Sequence, residues 1–289
     1  MKALFIFLNL LLINSYAANE FVVLIPGAAS SGEDISIRGL TPVFGKVDEG
    51  KYYKHFEIKL KEHGFKVITC PKFKDLDKRN IDDRAKDCSA YLLSKIARAP
   101  RSKFHLVAHS MGGLVARRLL DYSLTSRFIK SVTTISTPHN GAMFANYVFK
   151  HNKRFDPIAQ FIKLVQFRPQ DRAYLSDLKI TNGVNLYSQS LKNKRKIKVY
   201  SISNYRTNWY NGPLFLSSKV LSRESRYYKD RSYKNDGIIE TSSMVFGEHL
   251  AEIQADHLES ACVLHTRYSK GCKSSVSVLI NHLETLISL

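Results

Sequence analysis

The sequence has few of the residues that dominate repetitive or unfolded chains. Among its 289 residues are 14 glycines and 8 prolines, too few for a collagen-like or low-complexity polymer. No repeat with a period of roughly 20–50 residues occurs, which excludes a solenoid. Hydrophobic residues make up 44% of the chain and aromatic residues 11%, enough to bury a sizeable core. We therefore expect one globular domain over residues 18–289.

Long hydrophobic runs are absent after the first residues. Residues 1–17, MKALFIFLNLLLINSYA, have one lysine, then an apolar run, and end on a small-x-small cleavage pattern. This arrangement predicts a signal peptide that is cleaved after Ala17, and hence a secreted or periplasmic protein. No later stretch approaches the roughly 20 apolar residues that a transmembrane helix requires.

Acidic residues are scarce relative to basic ones. The 25 Asp and Glu residues face 44 Lys and Arg residues, a formal net charge of +19, which favours anionic partners. Cations interleave with tyrosines over residues 223–234, and a shorter basic run covers residues 192–196. In an exported protein this pattern favours an anionic lipid surface over nucleic acid. A solvated basic face without a partner is the alternative.

The four cysteines include no Cys-x-x-Cys pair, which argues against a zinc site. In an oxidising compartment, four cysteines allow three disulfide pairings. We expect the pairing that is local in sequence, Cys70 with Cys88 and Cys262 with Cys272. Each bond would fasten a strand or loop end to a nearby helix. Four buried free thiols are the alternative.

Short β-branched and aromatic runs alternate with helical patterns, which is typical of a parallel sheet with helices on both faces. A helix capped by Asn80 is predicted, and a last helix is predicted from about Ser275. The alternation breaks over about residues 142–196, where we expect a cap packed on the core or a mobile lid, with a helix starting at Asp156 and Pro157. The fold class is thus α/β, with a mostly parallel sheet of about six strands. The clearest strand predictions are residues 21–25, 65–69, 104–108, 131–135 and 197–202.

The strongest catalytic motif is A-H-S-M-G-G at residues 108–113, between a predicted strand and a helical pattern. A serine on such a tight turn holds its hydroxyl at the edge of the sheet, and small residues two positions away on either side avoid clashes. The string alone is common by chance. Its position between strand and helix makes Ser110 the candidate nucleophile.

A serine nucleophile needs a general base, and the base needs an orienting carboxylate. After a turn of this kind the order along the chain is serine, acid, histidine. Asp236, in an Asn-Asp-Gly turn downstream of Ser110, is the candidate acid. The candidate bases are His257, in the string D-H-L-E, and His249, in the string E-H-L. Spacing alone allows either.

The oxyanion of a tetrahedral intermediate needs two backbone N–H donors. One is expected from the residue after the nucleophile, Met111, and one from the loop after the first strand. That loop is I-P-G-A-A-S-S-G at residues 25–32, and Ala28 is the expected second donor. An ordinary strand-ending turn is the alternative for this loop.

Taken together, these strings resemble the secreted bacterial lipases of the α/β-hydrolase fold, particularly the lactonizing lipase group, which are triacylglycerol lipases. The resemblance implies a hydrolase of lipid esters whose chemistry requires no cofactor, and it favours His257 over His249 as the base. It covers most of the chain after residue 17 except the insert and residues 192–234. It is carried by V-V-L-I-P-G at 22–27, the motif at 108–113, T-P-H-N-G at 137–141, N-D-G at 235–237 and H-L-E at 257–259.

The chain differs from the family's pattern at two positions, and the family also suggests partners. Pro26 replaces the histidine that usually precedes the oxyanion-loop glycine. Glu259 stands where the family commonly has an aspartate that binds structural calcium, although the insert offers no convincing second carboxylate. Many relatives need a membrane-anchored folding chaperone. The alternatives in function are a phospholipase A1 or acyltransferase with the same three residues, or a non-catalytic envelope-binding protein.

Overall fold

A computed structural model describes residues 19–27, 53–71, 79–150, 176–180, 197–207, 214–229, 232–262 and 269–287. Its six strands form one sheet in the order β2-β1-β3-β4-β5-β6, and all neighbouring strands are parallel. The predicted α/β class with a mostly parallel sheet is confirmed. The strands are β1 Glu20–Ile25, β2 Val67–Thr69, β3 Lys103–His109, β4 Ile129–Ile135, β5 Lys198–Tyr205 and β6 Glu248–Gln254.

Helices cover both faces of the sheet. Val23 and Leu106 point into a buried cluster with the helices at 81–98 and 112–119. Leu24 and Val107 point into a second cluster with the helices at 54–62 and 270–286. Strand residues alternate between the two cores because successive side chains leave a strand on opposite faces. The helices are α1 Lys54–Glu62, α2 Ile81–Arg98, α3 Gly112–Leu119, α4 Ser123–Ser126, α5 Met143–Lys150, α6 Phe215–Glu224, α7 Thr241–Met244 and α8 Lys270–Leu286.

The strand predictions hold in the centre of the sheet, whereas at its edges one is too long and one strand has no prediction. The strand predicted at 65–69 begins only at Val67, because the N–H of Phe65 still donates to the oxygen of Leu60 at the end of α1, at 3.1 Å. The edge strand β6 was not predicted individually. Ile253 is its only buried residue, so the segment lacks the apolar run of a central strand.

Two helices begin at side-chain caps. Asn80 caps α2, as expected, since its Oδ1 accepts the N–H of Asp83 at 2.8 Å. The last helix was predicted from about Ser275 and instead begins at Lys270. The reason is Ser269, whose Oγ accepts the N–H of Cys272 at 3.0 Å and satisfies a free donor of the first turn.

Both disulfides expected from the sequence are present. Cys70–Cys88 joins the end of β2 to α2, and Cys262–Cys272 joins the chain after β6 to α8. Each links a sheet edge to a helix that covers it, which restricts the unfolded chain and stabilises the fold by about 2–4 kcal/mol per bond.

Part of the predicted insert is described. It begins with α5, and residues 176–180 return to pack beside it, where the N–H of Ala142 donates to the oxygen of Leu178 at 2.8 Å. The helix start expected at Asp156 and Pro157 lies outside the described residues, as do residues 1–17. Within the described ranges, no helix is both long enough and apolar enough to cross a membrane.

Candidate active site

Ser110 lies on a strained turn between β3 and α3. Its φ of 56° is in the left-handed region that residues other than glycine rarely adopt. The N–H of Ser110 donates to the oxygen of Ile135 at 2.9 Å, and the Thr137 hydroxyl donates to the oxygen of Ser110 at 2.9 Å. The end of β4 therefore fixes the turn on both sides of its strained residue.

The glycines after Ser110 are required by close approach. A Cβ on Gly112 would overlap the carbonyl oxygens of Ile25 and Pro26, and a Cβ on Gly113 would overlap the side chain of Thr137. Helix α3 can therefore start directly beneath the ends of β1 and β4 only because these positions have no side chain. This is the physical reason for the small residues of the motif.

Ser110, His257 and Asp236 lie in one hydrogen-bonded series. Nε2 of His257 is 2.9 Å from Oγ of Ser110, and Nδ1 is 2.7 Å from Oδ2 of Asp236. The Asp236 carboxylate is fully buried and Ser110 is half-buried. The structure thus brings together the serine, the acid and one of the two candidate histidines.

The Asp236 carboxylate is oriented by its own turn. Oδ1 accepts the N–H groups of Ile238 and Ile239, at 3.0 and 2.8 Å, which leaves Oδ2 for the imidazole of His257. The N–H of His257 donates to the carbonyl oxygen of Asp236 at 2.9 Å. Side chain and backbone therefore join the two loops at the same point.

The other candidate base lies elsewhere. His249 is an exposed residue of β6, and its Nε2 is 2.9 Å from the hydroxyl of Ser203 on the neighbouring strand. The structure does not bring it to Ser110.

Of the two expected oxyanion donors, one is described. Met111 caps α3, and N–H groups at a helix start have no partner within the helix. Ala28 lies outside the described residues, which after β1 continue only to Gly27.

Residues 17–194 match the family model described as the PGAP1-like alpha/beta domain, more than half of the 289-residue chain. The chain belongs to the PGAP1-like family. Its resemblance to lipases of the α/β-hydrolase fold is also confirmed by its relatives.

The chain is similar to curated proteins that are triacylglycerol lipases. Triacylglycerol lipase 2 of Saccharomyces cerevisiae is 28% identical over 190 residues, which cover 62% of this chain and 53% of that protein. A triacylglycerol lipase of Pseudarthrobacter phenanthrenivorans is 31% identical over 140 residues, or 47% of this chain and 38% of that protein. The chain spans about half or less of the length of these relatives.

Solved structures confirm the α/β-hydrolase fold. The mature lipase BlEst2 of Bacillus licheniformis has a TM-score of 0.64 at 16% identity, covering 91% of this chain and 92% of that one. Lipase 1 of Pelosinus fermentans has a TM-score of 0.58 at 17% identity, covering 94% of this chain and 100% of that one. At these identities the likeness concerns the fold alone.

His109 lies buried behind His257, and apart from its place in the motif at 108–113 nothing in the sequence indicates a role for it. The ring of His109 is 4.7 Å from that of His257, and its Nε2 is 3.0 Å from the hydroxyl of Ser260. That hydroxyl donates to the oxygen of His257 at 2.9 Å. Burial, and secondarily the neighbouring His257, holds the pKa of His109 well below its ordinary value. His109 therefore supports the His257 ring without adding a positive charge beside it.

The T-P-H string ties the end of β4 to α7. The N–H of His139 donates to the oxygen of Ser243 at 2.8 Å, and its Nε2 is 2.9 Å from the hydroxyl of Thr134. Burial, and then the charge of Arg117, keeps the pKa of His139 well below its ordinary value. His139 is thus a neutral structural residue that anchors the helix following the Asp236 turn.

Glu259 does not fit the calcium contact that the lipase resemblance implied. Oε2 of Glu259 is 3.0 Å from Nη1 of Arg206, and the same nitrogen is 2.9 Å from Oδ2 of Asp256. The carboxylate of Glu259 is therefore paired with an arginine. Burial, and then the neighbouring Glu259, raises the pKa of Asp256 to about 6. Across the ranges that the structure describes, no cluster of three His, Cys, Asp or Glu side chains could hold a metal.

Substitution of Gly113 tests the packing of the Ser110 turn. We expect Gly113→Ala to lower the free energy of unfolding by about 1–3 kcal/mol, because its Cβ overlaps Thr137. The double variant Gly113→Ala, Thr137→Ala removes Oγ1 and Cγ2 of Thr137, the two atoms closest to the new Cβ. Its loss of unfolding free energy should therefore be smaller than the sum of the two single losses, by at least about 0.5 kcal/mol. Urea unfolding of the four proteins measures this coupling. Simple additivity would show that Thr137 is not the obstacle.

Proposed function

We propose that this chain is a serine carboxylic-ester hydrolase that acts on lipid esters as a triacylglycerol lipase. The observation that carries the proposal is the series of hydrogen bonds from Ser110 through His257 to Asp236. A half-buried serine beside a histidine whose second nitrogen meets a buried carboxylate is suited to nucleophilic catalysis. The names of the two relatives support the lipid ester as substrate.

In the proposed reaction, Oγ of Ser110 attacks the ester carbonyl while Nε2 of His257 accepts its proton. The buried Asp236 holds Nδ1 protonated and stabilises the imidazolium that forms. The imidazolium then protonates the departing alkoxide, which leaves an acyl group on Ser110. Water, deprotonated by the same nitrogen, attacks this ester and releases the fatty acid, and Oγ takes back the proton. No cofactor enters any step.

The negative charge of the tetrahedral intermediates requires stabilisation. We assign it to the N–H groups of Met111 and Ala28. The start of α3 contributes as well, because the N-terminal end of a helix favours negative charge. Loss of one such donor typically costs roughly 100- to 1,000-fold in turnover.

Single substitutions test the assignment of the nucleophile and the base. Ser110→Ala and His257→Ala should each lower kcat on a short-chain soluble ester by roughly 10⁴-fold or more, because they remove the nucleophile and its base. Ser110→Ala should also abolish labelling by a fluorophosphonate probe. His249→Ala is the matched control and should keep full activity. If activity survives in His257→Ala and is lost in His249→Ala, the base is His249 and our assignment of His257 is wrong. A folded wild-type protein that is neither labelled nor active would favour the envelope-binding alternative.

A group of exposed aromatic rings and lysines favours an anionic lipid as partner. We call the aromatic-basic face the group formed by Phe149, Phe215 and Tyr227 with Lys150, Lys179 and Lys219. The three rings are 38%, 38% and 78% exposed. Each has a lysine over it, with Nζ 3.6 Å from the ring of Phe149, 5.7 Å from that of Phe215 and 6.0 Å from that of Tyr227.

The aromatic-basic face is connected to the site through its helices. Met143 of α5 and Leu221 of α6 pack in one buried cluster with Ile238, which follows Asp236 closely. Exposed aromatic rings suit the interface of a bilayer, and lysines are attracted to anionic head groups. We therefore propose that this face binds the enzyme to a surface of anionic phospholipid. Binding to phospholipid in turn supports the alternative function, a phospholipase A1. The basic run at 192–196 lies outside the described residues.

Vesicle binding tests the aromatic-basic face. Lys150→Gln, Lys179→Gln and Lys219→Gln together should weaken binding to phosphatidylglycerol vesicles by roughly 100-fold, at about 1 kcal/mol for each lysine. Turnover of a soluble ester should stay unchanged. The matched control combines Lys59→Gln, Lys61→Gln and Lys95→Gln, on α1 and α2. Equal losses in both triple variants, or equal binding to neutral phosphatidylcholine, would contradict a specific face. Hydrolysis of vesicles in preference to emulsified triglyceride would assign a phospholipase.

Export remains part of the proposal. Cleavage after Ala17 predicts a mature protein that begins at Ala18, which the intact mass of protein recovered outside the cytoplasm checks. A mass that retains residues 1–17 would contradict it. Refolding of the mature protein with and without membrane extract shows whether a folding chaperone is a partner.

A further inference from the structure

The turn that carries His257 contains two carboxylates held by one arginine. Nη1 of Arg206 is 2.9 Å from Oδ2 of Asp256 and 3.0 Å from Oε2 of Glu259. The two carboxylate side chains are only 4% and 14% exposed. Carboxylates this close and this buried repel each other, so a positive charge between them is needed to keep both ionised.

The same carboxylates set the backbone of the turn. Oδ1 of Asp256 accepts the N–H groups of Leu258 and Glu259, at 2.9 and 2.8 Å. Oε2 of Glu259 accepts the N–H of Asp256 at 3.1 Å. These reciprocal bonds form a capping box around His257. Displacement of either carboxylate would therefore turn the backbone from which the imidazole projects.

Arg206 also contacts the loop of the acid. Its backbone N–H donates to the oxygen of Asn235 at 3.1 Å, and Oδ1 of Asn235 accepts the N–H of Gly237 at 2.9 Å. Arg206 thus bonds through its backbone to the Asp236 turn and through its guanidinium to the His257 turn. It is placed to set the distance between the two.

We propose that Arg206 is a positioning residue for His257, and that its guanidinium supplies the positive charge that a divalent cation would supply between two such carboxylates. The inference rests on the proposed function, since it gives Arg206 a part in ester hydrolysis. Calcium binds carboxylate oxygens with six to eight ligands, and the guanidinium donates to the oxygens that calcium would need. The turn is therefore held without a metal, and turnover does not depend on calcium.

Arg118 provides a matched control for Arg206. Its Nε and Nη1 lie 2.6 and 2.8 Å from the carboxylates of Asp82 and Asp121, and its side chain is as exposed as that of Arg206. It lies near the end of α3, away from His257. Arg206→Gln and Arg118→Gln therefore each leave two carboxylates without their guanidinium. Only in Arg206→Gln do these carboxylates belong to the His257 turn.

Kinetics and hydrogen exchange test the positioning role. For Arg206→Gln we expect kcat on a soluble ester to fall roughly 10- to 100-fold, as small displacements of catalytic groups do, with KM within about twofold of wild type. Amide exchange in residues 256–261 should quicken. Arg206→Lys should recover part of kcat, and Arg118→Gln should change neither readout. Wild-type kcat in Arg206→Gln, or wild-type protein inactivated by EGTA and restored by calcium, would overturn the proposal.

Replacing Arg206 with aspartate tests whether a divalent cation can take the place of its guanidinium. Arg206→Asp should be inactive in EGTA, bind calcium in calorimetry, and regain part of kcat in millimolar calcium. Arg118→Asp should keep its kcat in EGTA, and calcium should not change it. A folded Arg206→Asp protein that binds no calcium would overturn the assignment. If wild type hydrolyses no ester, the proposed function fails, and exchange at 256–261 and calorimetry still decide the role of Arg206, because neither needs a substrate.

Discussion

The site depends on a backbone conformation that is unfavourable by itself. Ser110 has a left-handed φ, which costs about 1–2 kcal/mol for a residue with a side chain. It persists because the end of β4 bonds to both sides of the turn, and because α3 starts against the ends of β1 and β4 without side chains at its first two positions. Three parallel strands and a helix thus converge on one residue, and a change in any of them alters the direction of its hydroxyl.

The parallel sheet explains how distant parts of the chain reach this serine. Its strands all end at the same edge, so the segments that leave them meet there. Ser110 follows β3, His257 follows β6, and the Asp236 turn lies between β5 and β6. Each of the three is held by bonds within its own loop, and the loops are held to each other. The arrangement is therefore preorganised, and its polar groups need little movement to stabilise charge.

The features that the sequence predicted are local ones. The central strands, the cap at Asn80 and the Ser110 turn follow from neighbouring residues. The start of α8 depends on a serine outside the apolar pattern, and β6 has only Ile253 to indicate a strand. His109 and Arg206 could not be assigned, because the side chains that they bond, Ser260 and Asp256, lie 151 and 50 residues away in sequence. Spacing left His249 and His257 equal, and the family resemblance favoured His257, which is the histidine that the fold brings to Ser110.

The disulfide between Cys262 and Cys272 has a consequence for where this chain can mature. It fastens the short segment after His257 to α8, whereas the turn that carries Ser110 is held by strands and a helix alone. In a reducing compartment the Ser110 turn would keep the strands and the helix that hold it. The His257 turn would lose the disulfide that fastens the following segment to α8. Thiol reductants should therefore act directly on the His257 turn, and on the Ser110 turn only through Cys70–Cys88 and the packing of α2 against α3.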